Sequence, residues 1–300
     1  MIRPKLLTAL NGNADIFIGE AEYVTAPGIY YFTVPQAVRR IHACCIGGGA
    51  QGAAENGSYQ DDWDGGGGGG LGWANNIEVT PGEELVIQVG GTVGKNGTNV
   101  NNGNSWISRG FSNGSPEWVL VAGESPGNIF GYFRQGGTFT GDGGGDGGSG
   151  CSNSTYSEDG TNYVKNKGSG GGAGGYTGNG GSGSIYGGDT SGNGGAGSGG
   201  VSAVDDRPGS TKGARGGGTG IRGAGASGPS PRPTPVGFWG NANQAPGIAG
   251  SGGDKMDFGA GGAGERDGWD GSEKTQAGHG AVRIIWGNRF SYPDNADVEA

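Results

Sequence analysis

Glycine recurs at every third position over long stretches of the second half of this chain. A period of three matches neither the α-helix nor the β-strand, but it matches the polyproline II helix, with three residues per turn and a rise of about 3.1 Å per residue. Glycine at each third position leaves one helix face without side chains, so neighbouring helices can approach and hydrogen-bond through their backbones. The pattern predicts a rigid polyglycine II scaffold that displays loops. The glycines with this spacing are Gly141, Gly144, Gly147 and Gly150; Gly172, Gly175, Gly178 and Gly181; Gly192 and Gly195; Gly217, Gly220 and Gly223; and Gly247, Gly250 and Gly253.

The composition bears on whether such a chain is ordered. The 78 glycines and 13 prolines among 300 residues are typical of low complexity or disorder. Seven Trp, ten Tyr and nine Phe favour order, because disordered segments are poor in aromatic residues. Ordering costs roughly 1–2 kcal/mol of backbone entropy per residue, against a net gain of roughly 1 kcal/mol per hydrogen bond. We therefore expect many glycine helices to pack together.

Charge and composition exclude several classes of protein. A net charge of −9 argues against nucleic acid as a partner, because binding it requires a basic protein surface. It also argues against binding to an anionic membrane surface. No run of 18 apolar residues predicts a membrane span, and residues 1–10 lack the pattern of a signal peptide. Cys44 and Cys45 would point to opposite faces of a strand, so we expect these thiols and Cys151 to be free.

Runs of β-branched and aromatic residues between Gly, Pro and Asn predict short strands. No ten-residue stretch has the period and caps of a helix. The last strand follows about 140 glycine-rich residues and must pair with strands from the N-terminal half, since a lone strand is unstable. The predicted strands are Asp15–Ile18, Ile29–Val34, Val38–Ile46, Asn76–Val79, Leu85–Val89, Trp118–Ala122 and Ala281–Trp286.

These strands predict an all-β fold, an antiparallel, jelly-roll-like β-sandwich into which a bundle of polyglycine II helices is inserted, with essentially no α-helix. An insertion anchored at both ends lowers the entropic cost of ordering it. The predicted divisions are an N-terminal arm (1–12), a discontinuous β-sandwich (13–133 plus 278–290), the glycine-rich insertion with its display loops (134–277) and a polar C-terminal tail (291–300).

Five stretches in this order resemble the glycine-rich domain of bacteriophage tail-fibre proteins, especially those of marine cyanophages, over about residues 20–290. The closing stretch, Gly-Ala-Val-Arg-Ile-Ile-Trp-Gly after the glycine-rich region, is the most specific part. The glycine-rich zone is similar in character to the polyglycine II sandwich of T-even-type tail-fibre tip adhesins, whose packed glycine helices carry variable loops that contact the host receptor. The stretches are Tyr31–Pro35, Ile46–Gly49, Val79–Glu83, Gly171–Gly181 and Gly280–Gly287.

The resemblance implies a non-enzymatic viral protein of the phage virion, a tail-fibre protein or adhesin that attaches to the host through its loops. Expected partners are a bacterial surface glycan or outer-membrane protein and other phage tail or fibre proteins, with a homotrimer as one assembly. We expect no nucleic acid partner and no membrane insertion. The protein would be made in the host cytoplasm and act in the virion. A purely structural fibre, decoration or extracellular filament subunit is the alternative, and an ice- or surface-binding protein is a third hypothesis.

Aromatic residues in the breaks between glycine runs are the candidate receptor contacts. Exposed aromatics are enriched at binding hot spots, and loops on rigid scaffolds often carry function. The other interpretation, that these rings clamp helix ends or close trimer contacts, stays open. The candidates are Tyr59, Trp63, Tyr156, Tyr163, Tyr186, Phe238, Trp239 and Trp269.

The sequence offers little for catalysis or for a cofactor. His42 and His279 are the two histidines, and structural roles are expected for both. Gly47–Gly49 follows a strand but lacks the rest of a phosphate-binding loop, and Asp205 and Asp206 do not have a spacing that favours glycosidase chemistry. Loop carboxylates leave a calcium site as an alternative to solvated side chains, but we expect no metal. These carboxylates are Asp61, Asp62, Asp64, Asp142 and Asp146.

Overall fold

A computed structural model describes residues 5–8, 17–52, 65–94, 103–126, 135–150, 154–157, 163–166, 170–183, 216–224, 258–261, 277–294 and 296. Over these residues the protein is all-β, with thirteen strands and no helix. The strands are β1 (Lys5–Thr8), β2 (Phe17–Tyr23), β3 (Gly28–Thr33), β4 (Arg40–Ile46), β5 (Leu71–Glu78), β6 (Glu84–Val89), β7 (Ser105–Ser112), β8 (Ser115–Gly123), β9 (Phe139–Thr140), β10 (Gly143–Gly145), β11 (Ser154–Ser157), β12 (Tyr163–Asn166) and β13 (Ala281–Trp286).

The strands form two antiparallel sheets and one separate hairpin. The six-stranded sheet has the order β1-β2-β13-β4-β5-β10, the five-stranded sheet has the order β3-β6-β7-β8-β9, and β11 pairs with β12. Strand β13 lies between β2 and β4 and pairs antiparallel with both. The prediction that the last strand returns to the N-terminal strands is therefore confirmed.

The predicted strands agree with the structure in position and differ in extent. Ala281–Trp286 was predicted with the bounds of β13, whereas β5 begins at Leu71, five residues before its predicted start. The sequence analysis missed β7, because its Ser, Arg and Gly residues interrupt the apolar run. It also missed β1, in the predicted N-terminal arm, and four short strands in the predicted glycine insertion: β9 and β10, which pair with β8 and β5, and the hairpin of β11 and β12. The four domain ranges stay predictions.

Alternating side chains of both sheets build a shared core. In β4, Ile41, Ala43 and Cys45 face the five-stranded sheet, and in β13, Val282, Ile284 and Trp286 do the same. Phe32 of the five-stranded sheet meets Trp286 with ring centroids 5.7 Å apart. Intervening residues of β4 and β13, such as Cys44, Ile46 and Ile285, are equally buried but face the other way. Both faces of the six-stranded sheet are therefore covered.

A bulge between β4 and β5 changes which residues face the core. The pairing of Ala43 with Ala74 is followed by that of Ile41 with Ile77, so β5 carries an extra residue opposite His42. Asn76 has φ of 53° there, a left-handed conformation that asparagine tolerates better than most residues. The bulge returns Ile77 to the core face and leaves Asn75 on the outer face.

At one end of the two sheets, the strands are continued by segments that consist mainly of glycine. Ile46, the last residue of β4, lies opposite Leu71, the first of β5, and Ala281, the first of β13. Beyond these residues the backbones continue as glycine and hydrogen-bond to one another; Gly47 N, for example, donates to Gly70 O at 2.9 Å. We call the following segments the glycine network: residues 47–51, 65–70, 145–150, 170–183, 216–224 and 258–261.

Candidate functional site

The glycine network is attached to the outer face of the six-stranded sheet by Tyr176. Its hydroxyl donates to Gly220 O and accepts from Gly223 N, both at 3.1 Å, and its ring stacks on Tyr292 with centroids 5.8 Å apart. From the sheet, the Trp73 indole donates to Tyr176 O at 2.9 Å, and the Cys44 thiol lies 3.6 Å from the Tyr176 hydroxyl. One buried side chain therefore joins two glycine segments to the sheet.

A buried ion cluster makes the second attachment. Arg283 of β13 has no exposed side-chain surface, and its Nη2 lies 2.7 Å from Glu20 Oε2. Its Nε is 3.1 Å from Glu22 Oε1, and Arg222 of the glycine network approaches the same carboxylate at 3.4 Å. Arg283 Nη1 also donates to Ala296 O at 2.7 Å. The cluster links the sheet, the glycine network and the chain near residue 296.

Burial controls the ionisation of the groups between these attachments. It raises the pKa of the Cys44 thiol to about 12, although the Tyr176 hydrogen bond and the Arg283 charge lower it. Burial likewise raises the pKa of Tyr176 and Tyr292 well above the usual tyrosine range. Cys45, on the opposite face of β4, is also a buried free thiol with a raised pKa. These four groups are therefore neutral at physiological pH, and none of the four is an activated nucleophile.

The hydrogen bonds of the glycine network repeat every three residues. Gly171 N donates to Gly66 O and Gly174 N donates to Gly69 O, at 2.9 and 2.8 Å. The two residues between them have different partners, since Gly172 N donates to Gly181 O of the same segment and Ala173 N donates to Gly217 O of another. Each segment is therefore held by several neighbours at once, which gives a rigid lattice of backbone.

Side chains are excluded from the contacts of this lattice. A methyl group on Gly147 would overlap Gly68 O, and one on Gly150 would overlap Gly65 O. On the neighbouring side, Gly145 and Gly148 meet Gly178 O and Gly181 O in the same manner. The side-chain-bearing residues of this segment, Asp146 and Ser149, stand three apart between the glycine contacts.

The predicted scaffold glycines have different positions. Gly141 and Gly144, with φ of 157° and 145°, lie against the backbone of β5, beside Trp73 O and Leu71 O. Gly223 has φ of 106° and lies beside Pro293 O. The others among the described residues lie in the glycine network, whereas five predicted positions are outside the described residues. In the network lie Gly147, Gly150, Gly172, Gly175, Gly178, Gly181, Gly217 and Gly220; outside lie Gly192, Gly195, Gly247, Gly250 and Gly253.

One small part of the glycine network, which we call the rim, contains the residues that precede or follow four stretches of the sequence. Gly171 N donates to Gly66 O, Gly261 N donates to Gly171 O and Gly216 N donates to Gly261 O, at 2.9–3.0 Å. Gly183 N donates to Ser149 O at 2.7 Å, next to the contact of Gly150 with Gly65. The rim consists of Gly65, Gly66, Gly150, Gly170, Gly171, Gly183, Gly216 and Gly261.

The rim bounds four stretches of sequence that lie largely outside the described residues: 53–64, 151–169, 184–215 and 262–276. Gly65 ends the first, Gly150 and Gly170 flank the second, Gly183 and Gly216 flank the third, and Gly261 precedes the fourth. The other flanks are near, since Gly66 contacts Gln51 O and Gly278 N donates to Ala260 O. The residues that flank these four stretches therefore lie within one small area.

Six of the eight candidate receptor contacts belong to these four stretches. Tyr156 lies in β11 opposite Val164, and Tyr163 lies in β12 opposite Ser157; their side chains are outside the description. Tyr59, Trp63, Tyr186 and Trp269 lie outside the described residues altogether, as do Phe238 and Trp239. The last two belong to residues 225–257, which are flanked by Ala224 and Phe258 and not by the rim.

The two histidines have structural partners. His42 Nδ1 lies 2.9 Å from Asn75 Oδ1, and burial lowers the pKa of His42 while this bond raises it. The Asn75 side chain also bonds the backbone of Tyr292 twice, through its amide nitrogen at 2.7 Å and its oxygen at 2.9 Å. His279 packs edge-on against Phe258. His42, through Asn75, therefore helps to hold Tyr292 on the outer face of the six-stranded sheet, and His279 helps to hold Phe258 of the glycine network.

Sequence reasoning missed the residues that attach the glycine network to the sheet. Glu20 and Arg283 are 263 positions apart, and neither belongs to a local motif. A signal was present in β13, where an arginine stands within an otherwise apolar strand. A buried arginine needs an acidic partner, which could have directed attention to Glu20 and Glu22.

Comparison with known proteins adds no family. No family model matches the chain, and no curated protein matches its sequence. Among the described residues, no three His, Cys, Asp or Glu side chains lie together so as to hold a metal ion. That part of the chain also has no helix that is long and apolar enough to cross a membrane.

Proposed function

We propose that this protein is a phage tail-fibre protein or adhesin that binds a bacterial cell-surface receptor through loops on a polyglycine II scaffold. The observation that carries the proposal is the rim, where four excursions of the chain are flanked by a lattice of backbone hydrogen bonds. Loops held by a rigid base lose less entropy on binding. The rim stretches carry six aromatic candidates, a composition typical of binding hot spots.

The finer architecture belongs to the same proposal. The two antiparallel sheets form a jelly-roll-like β-sandwich, and the glycine network is a bundle of polyglycine II helices inserted in it. Hydrogen bonds that return to one neighbour after three residues, as from Gly171 and Gly174 to Gly66 and Gly69, support this assignment, because three residues complete one polyproline II turn. The helices supply stiffness, and the sandwich fixes their ends.

The mechanism is reversible binding without chemistry. No enzymatic step is part of the proposal; the buried Cys44 thiol and Tyr176 hydroxyl of the outer face have raised pKa values and are neutral. Weak sites on several copies of the protein in one virion would act together, because the second contact of a tethered particle is effectively intramolecular. The receptor is a surface glycan or an outer-membrane protein, and the virion is the place of action.

Binding of the labelled full-length protein to a panel of bacteria tests the proposal. Selective binding is expected, and protease-treated and polysaccharide-stripped cells distinguish a protein receptor from a glycan. Alanine at Trp63, Tyr156 and Trp269 together is expected to weaken binding at least tenfold, since three of the rim stretches each lose one aromatic ring. The matched control is Trp118→Ala, which removes an exposed ring of the five-stranded sheet and should leave binding unchanged.

Two results would contradict the proposal. Equal losses from the triple variant and from Trp118→Ala would place the contact elsewhere. No binding to any strain by folded protein would favour the alternative of a purely structural fibre or filament subunit.

A further inference from the structure

Among the described residues, the β3 edge of the five-stranded sheet has no partner strand, and its sequence lacks the usual protection of an edge. Strand β3 ends the sheet, and its sequence, Gly-Ile-Tyr-Tyr-Phe-Thr, has no charged residue and no proline. Proteins normally protect a long edge with charges, proline, bulges or very short strands, because its unpaired groups attract other strands. The other sheet edges follow that rule: β9 has two residues, β10 three and β1 four, and β8, which β9 covers only at its last two residues, carries a proline, a glutamate and a bulge.

The backbone geometry shows which groups of β3 are free. Just after β3, Val34 N donates to Glu83 O and Val34 O accepts from Gly82 N, so both groups point toward the β6 side. In an antiparallel strand successive residues point their backbone groups to alternate sides. Phe32 and Tyr30 therefore face β6. The N–H and C=O groups of the intervening residues, Ile29, Tyr31 and Thr33, point away from the sheet.

The same three residues are solvent-accessible. Ile29 is 38% exposed and Tyr31 60% exposed, and Thr33 is exposed as well. Among the described residues, no second strand pairs with this edge. Three consecutive hydrogen-bonding positions are therefore presented together with two apolar side chains.

We propose that β3 pairs antiparallel with β3 of a second copy of this chain, across a twofold axis at Tyr31. In this register Tyr31 lies opposite Tyr31 of the copy, and Ile29 lies opposite Thr33. All three pairs use outward-pointing backbone groups, which gives six hydrogen bonds between the copies by the antiparallel pattern. The two five-stranded sheets join into one continuous sheet.

A second copy fits this edge better than a charged peptide does. The whole chain carries a charge of −9, so copies repel each other unless the contact is neutral, and β3 is neutral along its full length. The centred register is also self-complementary, as a twofold contact requires. Each face of the joint carries side chains of matching kind, with Tyr31 beside Tyr31 on the outer face and Tyr30 beside Phe32 on the inner face.

Sedimentation velocity of the full-length protein over a range of concentrations tests the dimer. We expect a monomer–dimer equilibrium for the natural sequence and at least a tenfold higher dimer Kd for Tyr31→Lys and for Tyr31→Pro, which removes one outward N–H. The matched control is Val119→Lys, which charges a side chain that is 39% exposed on the same sheet but lies in β8, three strands away from β3. This variant should dimerise as the natural protein does, and circular dichroism confirms folding of each variant.

Cysteine cross-linking tests the register. Residues opposite each other in a hydrogen-bonded pair have Cα atoms about 5.5 Å apart, which suits a disulfide. Tyr31→Cys should form a covalent dimer under mild oxidation. Ile29→Cys and Thr33→Cys should do so as a mixture but poorly alone, and the natural protein, with Cys44 and Cys45 buried, is the background control.

A natural protein that stays monomeric at all concentrations overturns the proposal, as does a dimer that survives Tyr31→Pro. Loss of the dimer in Val119→Lys would also overturn it, because that result would assign the contact to the sheet face.

Discussion

The outer faces of the two sheets differ in how far their side chains are buried. On the six-stranded sheet, the outward side chains of β4 and β13 are as buried as the inward ones, because glycine segments cover them. On the five-stranded sheet, Tyr31 and Trp118 are 60% and 80% exposed, although Val86, Trp106 and Ala122 on the outer face are buried, and Trp106 stacks on Phe111. The first face is closed by glycine segments over β4 and β13, whereas the second is only partly buried and carries exposed aromatic side chains.

The difference shows how a glycine-rich layer can be held in place. Glycine brings no apolar surface, so the layer is attached where it carries a few large side chains, chiefly Tyr176, Ile221 and Phe258. The sheet contributes buried charge and hydrogen-bonding groups at matching positions. Predictions that alter one face and leave the other untouched can break or sharpen this comparison.

The largest effect is expected from the buried arginine. Arg283→Ala leaves the carboxylates of Glu20 and Glu22 without their principal partner, and breaking a buried ion pair from one side costs about 3–5 kcal/mol. Chemical denaturation measures the loss in free energy of unfolding. The control Arg289→Ala changes an exposed arginine and should stay within about 0.5 kcal/mol; similar losses for both would mean that the cluster does not stabilise the closed face.

The second largest loss of stability is expected from adding a methyl group to the glycine network. Gly147→Ala places a methyl group against Gly68 O, and relieving such overpacking typically costs about 1–3 kcal/mol. Ser149→Ala, two residues later at a position that already carries a side chain, is the matched control and should be nearly neutral. Thermal unfolding followed by circular dichroism compares them, and equal melting temperatures would show that the segment is not tightly packed.

Part of this picture was predictable from the sequence, and part was not. The apolar runs of β4 and β13 predicted both strands, since continuous apolar runs are typical of strands covered on both faces. The glycine period predicted close backbone contact but not which segments meet, because a glycine face is the same toward every neighbour. The pairing of Glu20 with Arg283 and the convergence at the rim depend on long-range topology, which leaves no local pattern.

A smaller loss of stability is expected from removing one tyrosine hydroxyl, and it should differ between the two faces. Tyr176→Phe removes the group that bonds Gly220 O and Gly223 N and leaves both buried and unpaired, at a cost of about 1–3 kcal/mol. Tyr31→Phe removes a hydroxyl from the exposed face and should change the free energy of unfolding by less than about 0.5 kcal/mol. Denaturant titration of both variants at low protein concentration, where self-association is minimal, tests this; equal effects would remove the distinction between the faces.

The smallest expected effect is a dependence of stability on pH through His42, which lies under the closed face. Burial lowers its pKa below the ordinary value of 6.5, although the bond to Asn75 opposes that shift. The unfolded chain therefore binds a proton more readily than the folded protein, and the free energy of unfolding falls as pH decreases below about 6.5 and recovers as pH rises. Denaturant titrations between pH 5 and 8 should show this slope in the natural protein. His42→Gln, which keeps a hydrogen-bonding side chain without an ionisable group, should lose the His42 part of the slope, and an identical pH profile in this variant would show that the histidine titrates alike in the folded and unfolded states.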